Sequence, residues 1–400
     1  MEISIHQIRK LIFCIAYFVY VFYKITAHSM FSYDYSVIYN ALGWVLAGFV
    51  FTSFGLFVVD SLKLGMKELL MYLILGAIMV LVVYKSNYKQ IAFIVLLIIS
   101  AKDIDFKTIV KVLIVSGLTS IIFVCGLCKF GVFEDVIYTR DINNKFTIVH
   151  SYGFTYYSYL SFIVLSILLS WGYLRDTRIK YIEIILMYFI SLWVYKLTTD
   201  RLAYYVLILF LAMTFICKFF RNKFKENYII KRLLYMLAIF GYFATFGITY
   251  YFVLKYGSNG KVPFEMDKSV IMRITLSYEG IKKYGIHWFG QFIQMYGNYQ
   301  MKLGIRTHYF YIDSGYIYSI LCYGIIFTIS ILVMYTFIFV YMVYKDKNML
   351  IIWLIVIMVF SVINDMFVAL EYNPLLMLLP NVVASISKSK HENNMELDLF

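Results

Sequence analysis

Charge is scarce in this chain of 400 residues: Asp, Glu, Lys and Arg make up 15% of it, against about a quarter in soluble domains. That scarcity excludes an ordinary water-soluble fold. Apolar residues reach 62% and the mean hydropathy is +0.78. A soluble fold of this length cannot cover so much apolar surface, so lipid must be the solvent for most of it. Proline is nearly absent, with three, and no internal repeat is visible. Both points speak against the paired, broken-helix architecture of many transporters. Of the five cysteines, Cys125 and Cys128 spell C-x-x-C but have no second pair and no nearby His. Inert buried thiols fit them better than a metal or redox site.

What is present is apolar and aromatic. The 39 Tyr and 36 Phe fit an AT-rich coding sequence and also the aromatic belts of membrane interfaces. Stretches long enough to span run over 11–27, 37–59, 68–84, 87–101, 108–128, 156–174, 181–198, 202–220, 233–254, 316–344, 349–367 and 372–387. The fourth is short, and Pro374 and Pro380 interrupt the last. The first follows Arg9 and Lys10 without a small-residue cleavage site, so it reads as a span and not a cleaved signal. The expected fold is an all-α polytopic membrane protein, one domain over 1–400, with about twelve transmembrane helices.

Basic residues set the orientation. With the N-terminus inside, Arg9, Lys10, Lys63, Lys67, Lys102, Lys107, Lys111, Arg175, Arg178, Lys180, Lys218, Arg221, Lys223, Lys225, Lys231, Arg232, Lys345, Lys347, Lys388 and Lys390 fall on cytoplasmic segments. Outer turns hold few, chiefly Lys85 and Lys89. Twelve spans return the C-terminus inside, with 385–400 as a polar tail. The net charge of +13 then needs no nucleic acid, since inner-leaflet anionic lipid attracts it.

Two outer connections are long: 129–155, and 255–315, which leads into the tenth span. Together they carry Arg140, Asp141, His150, Glu265, Asp267, Arg273, Glu279, Arg306, His308 and Asp313. Chemistry or recognition is expected here, on loops held by a rigid scaffold. Within the second, Val270, Ile271, Ile274 and Ile281 alternate with Lys268, Arg273, Lys282 and Lys283, as in a short helix lying at the membrane surface. Glu279 and Lys283 stand at i,i+4 and can pair. Elsewhere Thr198-Thr199-Asp200-Arg201 places charge at the junction of two spans. One reading is a tight turn in which Asp200 caps the next helix and Arg201 snorkels. The other is a cation aimed at a phosphate-bearing lipid.

Several short motifs, in order along the chain, resemble the Wzy-type oligosaccharide repeat-unit polymerases of bacterial capsule, exopolysaccharide and O-antigen assembly. They are His150-Ser151-Tyr152-Gly153-Phe154; Thr199-Asp200-Arg201; Arg273 with Tyr284-Gly285 and Phe289-Gly290; and Asp313-Ser314-Gly315-Tyr316 followed by Tyr323-Gly324-Ile325-Ile326. Val149, Tyr156, Tyr157 and Ser314 depart from the residues common in that family. The resemblance implies a GT-C-like architecture related to O-antigen ligases. It also implies a metal-independent glycosyltransferase, without cofactor, that joins undecaprenyl-diphosphate-linked oligosaccharides at the outer face of the bacterial plasma membrane. A flippase and a chain-length regulator would be its partners.

The residue chemistry is compatible with that expectation. Arg forks onto phosphate oxygens and stays charged when desolvated, which makes Arg201 and Arg273 the candidates for stabilising a departing diphosphate. No Asp-x-Asp or dense Asp/Glu cluster for Mg²⁺ is expected in the chain, in keeping with a metal-free step. Asp313 is the first choice for a base that activates the acceptor hydroxyl; its alternative is an N-cap of the tenth span. Arg140, His150, Arg306, His308 and Asp200 are the candidate substrate contacts. For the histidines an ordinary interfacial role stays open. Tyr309, Tyr311 and Trp288 suit either sugar stacking or membrane anchoring. A ligase of the same architecture and a lipid-linked oligosaccharide flippase are the competing functions.

Overall fold

The structure is a computed structural model that describes residues 5–60, 66–142, 145–220, 228–258, 268–305 and 308–386. Its helices are α1 (Ile5–Thr26), α2 (Met30–Asp34), α3 (Ser36–Asp60), α4 (Met66–Ser86), α5 (Gln90–Ser100) and α6 (Phe106–Lys129). A hairpin of β1 (Ile137–Ile142) and β2 (Lys145–His150) follows. Then come α7 (Ser158–Arg175), α8 (Tyr181–Thr198), α9 (Arg201–Phe219), α10 (Tyr228–Tyr256), α11 (Lys268–Tyr284) and α12 (Asn298–Lys302). The chain closes with α13 (Gly315–Tyr318, continued by a π-turn Ser319–Tyr323), α14 (Ile325–Tyr344), α15 (Asn348–Phe360) and α16 (Pro374–Ile386).

Among the described residues, eight helices are long and apolar enough to cross a bilayer: α3, α4, α6, α7, α8, α9, α10 and α14. The protein is therefore a helical multi-pass membrane protein. Their outer faces carry large apolar side chains with no protein cover, such as Trp44, Ile122, Trp193 and Phe240. Lipid is the solvent that makes such faces stable. α1 is 22 residues long, but Arg9, Lys10 and Lys24 lie within it.

Four of the expected spans take a different form. α5, α15 and α16 are shorter apolar helices. α5 and α15 are buried on nearly all sides, so protein and not lipid surrounds them. The stretch 316–344 is divided at Gly324, whose φ of +91° ends the π-turn before α14 begins. Residues 287–290 of the second long loop pack there. Ile325 N–H and Ile326 N–H donate to the carbonyls of His287 and Trp288, both at 3.1 Å. A Cβ on Gly324 would come within 2.2 Å of Gly290 N, and one on Gly290 within 2.2 Å of Cys322 O. Two glycines at this crossing are a steric requirement.

Between α15 and α16 the chain crosses the core without regular structure. Backbone polar groups there must be satisfied by protein. Tyr17 OH donates to Leu370 O and Tyr335 OH to Phe367 O, each at 2.8 Å. Ser166 Oγ donates to Tyr372 O at 2.8 Å. Gly315 N–H donates to both Ser361 O and Asn364 O. Four surrounding helices thereby hold residues 361–373 in place.

The end of the bundle opposite the long loops is tied by charge. Arg9 Nη1 lies 2.5 Å from Asp60 Oδ2 and Lys102 Nζ 2.5 Å from Glu68 Oε2. An Asp-x-Asp does occur at this end, as Asp103-Ile104-Asp105, but there Asp105 caps α6 by accepting from Lys107 N–H.

Candidate functional site

At the loop-bearing end a cavity of about 330 Å³ opens among the ends of α1, α5 and α7, the inner face of α11, and α13. Its wall includes Arg273 and Asp313. Arg273 lies on α11, an amphipathic helix whose Leu276, Ser277 and Gly280 are buried. A Cβ on Gly280 would stand 3.0 Å from Ile312 Cδ1. The bare glycine lets α11 lie close against the strand of chain that ends in Asp313. Arg273 Nε then donates to Asp313 Oδ2 at 3.2 Å. The helix cap that follows is Ser314, not Asp313, so the N-cap role open to Asp313 in the sequence is not the one it takes. Burial pushes the Asp313 carboxyl above its ordinary pKa, and Arg273 opposes that rise.

A second group lies beside this pair. Asp200 is the N-cap of α9, its Oδ1 accepting from Leu202 N–H at 3.1 Å. The capping reading of Asp200 is therefore the geometry observed. The turn before it needs Thr199 in the left-handed region, at φ +52°. Arg140, from β1, holds that turn: Nη1 donates to Thr199 O at 2.6 Å and to Thr199 Oγ1 at 3.2 Å. Its guanidinium also lies 5.2 Å from the Tyr157 ring centre. Burial raises Asp200 to about 6, against the fields of Arg273 and Arg140. Arg140 and Arg273 thus both act electrostatically on Asp200.

The remaining expected residues lie apart. Arg201 begins α9 and is not among the residues lining the cavity. His150 Nδ1 sits 2.6 Å from Asp135 Oδ2. Asp135 Oδ1 also accepts from Ser151 N–H and Tyr152 N–H, so this pair staples the base of the hairpin. His308 is exposed, and neither it nor His150 lines the cavity. Lys283 lies over the rings of Tyr284 and Phe310. Arg306, Glu265, Asp267 and the tail from 387 onward lie outside the described residues.

The cavity also gathers residues that the loops did not point to: Lys24, His28, Gln90, Asp365 and Glu371. Lys24 Nζ donates to Gln90 Oε1 at 2.8 Å and stands 3.7 Å from Glu371 Oε1. Tyr20 OH donates to Glu371 Oε2 at 3.1 Å, and Tyr311 OH to Asp365 Oδ2 at 2.6 Å. The His28 ring stacks on Tyr159 with centroids 4.2 Å apart. Burial and the nearby Lys24 ammonium hold His28 down at about 3, so it is a neutral imidazole at pH 7. Three of these residues had a signal in the sequence. Lys24 and Asp365 fall inside expected spans and Glu371 at the edge of one, where an ionisable group marks a pathway or site.

No protein-family model, curated protein or solved structure matches the chain. The class that the fold defines is a helical multi-pass membrane protein with a polar, charged cavity at its loop-bearing end.

Proposed function

We propose that this protein is a polysaccharide polymerase. In this reading it joins undecaprenyl-diphosphate-linked oligosaccharide repeat units at the outer face of the bacterial plasma membrane. About twelve spans would place both termini in the cytoplasm, with a flippase supplying the substrate and a chain-length regulator as a further partner.

The observation that carries the reading is the Arg273–Asp313 pair on the wall of a polar cavity, at the end of the bundle that bears both long loops. Glycosyl transfer from a lipid diphosphate needs a cation for the leaving group and an acceptor for one proton. In the proposed step a hydroxyl oxygen of the acceptor sugar bonds to the anomeric carbon of the donor. The bond from that carbon to the diphosphate oxygen breaks, and its electron pair leaves with the lipid diphosphate. The hydroxyl proton passes to Asp313. Arg273 stabilises the charge that develops on the leaving group, a contribution that reaches several kcal/mol once bound substrate excludes water from the pair. Binding of the diphosphate draws Arg273 away from Asp313 and so frees the carboxylate to act as a base. The raised pKa of Asp313 suits that task.

Arg201 and Arg140 are assigned to the donor's phosphates from the side of the Asp200 turn. His150, His308 and Arg306 are assigned to sugars farther out on the loops. The test is a gel of lipid-linked glycan from cells lacking the protein. Accumulation of one repeat unit, exposed outside, is the expected result. Units trapped inside would identify a flippase, and full-length polymer left on its carrier would identify a ligase.

A further inference from the structure

The charges lining the cavity do not balance. Arg273 faces Asp313, and Lys24 faces Glu371. Asp365 is the third carboxylate in the wall, and its bonded side-chain partner is the neutral Tyr311 hydroxyl. With His28 neutral, the wall carries two cations and three carboxylates. A cavity that served a diphosphate alone would be lined the other way, since each carboxylate repels it.

Carboxylate oxygens with phenol and amide neighbours suit another ligand. They accept hydrogen bonds from vicinal hydroxyls, and flat rings beside them stack on sugar faces. The neutral His28–Tyr159 stack stands in the same wall. One more hydrogen-bonding group waits there. Tyr372 also lines the cavity, it is 6% exposed, and its buried hydroxyl has no partner among the described residues.

We propose that the half of the cavity around Asp365, Glu371 and Lys24 is a saccharide subsite, with Asp365 as its anchor, that takes an uncharged or amino sugar and rejects a uronic acid. This rests on the polymerase reading in one respect: the sugar held here is the acceptor's terminal residue, its hydroxyl turned toward Asp313. The excess of negative charge supplies the selection. A sugar carboxylate would meet Asp365, whose side-chain partner is the neutral Tyr311 hydroxyl, while Lys24 already faces Glu371; hydroxyls or an ammonium instead replace the water that Asp365 loses.

The test is saturation-transfer NMR on the full chain in detergent. The probes are the methyl glycosides of a neutral hexose, an N-acetylhexosamine, a hexosamine and a hexuronic acid. The parent protein is expected to bind at least one of the first three at millimolar concentration, and the uronate at least tenfold more weakly. Asp365→Leu should lose binding tenfold or more. Because that variant can fail to fold, Asp365→Asn is the second probe. It keeps an oxygen for Tyr311 but removes the charge, so the discrimination against the uronate should collapse to less than threefold. Uronate binding equal to that of the other glycosides in the parent overturns the proposal. So does intact discrimination in Asp365→Asn, or binding of none of the four. The measurement needs no lipid carrier and no polymerisation. Sugar binding without polymerase activity would sink the polymerase reading alone, and polymerase activity without sugar selection would sink the subsite alone.

Discussion

Arg273 and Asp313, 40 residues apart in the chain, meet through one Nε–H···Oδ2 hydrogen bond of 3.2 Å at the cavity wall. The bond joins an amphipathic surface helix to the residue before the cap of α13. Both side chains are about a quarter to a third exposed, so their mutual attraction is screened and adds little to stability. Their value is positional, because a cation and a carboxylate face the same space.

Lysine is expected to substitute poorly for this arginine. It keeps the charge but loses the planar fork that matches phosphate oxygens. Arg273→Lys should retain a few per cent to a tenth of the polymer yield. Arg201→Ala should abolish polymer while the protein stays in the membrane at normal level, as judged by immunoblot of the membrane fraction. Normal polymer from Arg201→Ala would remove that residue from the account.

Asp200 has a pH signature. Its folded value of about 6 lies above the ~3.9 of an unfolded aspartate. The folded state binds this proton more tightly, so its contribution to stability falls as pH rises from about 4 through 6. Asp200→Asn removes the ionisation and leaves a side-chain oxygen for Leu202 N–H. Unfolding of the variant in detergent should show a flatter pH profile. At pH 7.5 it should exceed the parent by about 1–3 kcal/mol. Parallel profiles for variant and parent would mean that Asp200 does not titrate in this range.

The glycine crossing predicts a steric outcome. Gly290 and Gly324 have φ values of +77° and +91°, and each would drive a Cβ into backbone of the opposing segment. Alanine at either should cost more than about 3 kcal/mol, since strain and overpacking add. Thermal unfolding of the purified variants measures this. A neutral Gly324→Ala would contradict the packing described.

Arg140 ties the hairpin to the α8–α9 turn. Arg140→Ala removes two charge-assisted hydrogen bonds, and a loss of about 1–3 kcal/mol is expected. Hydrogen exchange should rise in both the hairpin and the Thr199 turn. Exchange confined to the hairpin would mean that the two are not coupled.

Much of the scaffold could be read from apolar length alone, because a lipid-facing helix must be apolar whatever it packs on. The short helices α5 and α15 were read from their apolar runs in the same way. They are as apolar as spans, but protein covers them, and length is then set by packing. The hairpin was missed although Phe146-Thr147-Ile148-Val149 after Asn143-Asn144 carries a strand-and-turn signal. Of the site, Arg273 and Asp313 were legible through their motifs. Asp365 and Glu371 carried a weaker signal, as single carboxylates inside or at the edge of apolar runs, and only the folded chain brings them to the cavity. The Asp135 partner of His150 was also invisible, since the contact forms only when the hairpin closes.

The most direct test is the polymer made by cells whose single copy of this protein is Arg273→Ala or Asp313→Asn, with membrane levels matched to the parent. The account predicts a single lipid-linked repeat unit outside the membrane and no ladder above it for Arg273→Ala, with polymer reduced at least a hundredfold for Asp313→Asn. A normal ladder from both variants would contradict the claim that this pair is the reaction centre.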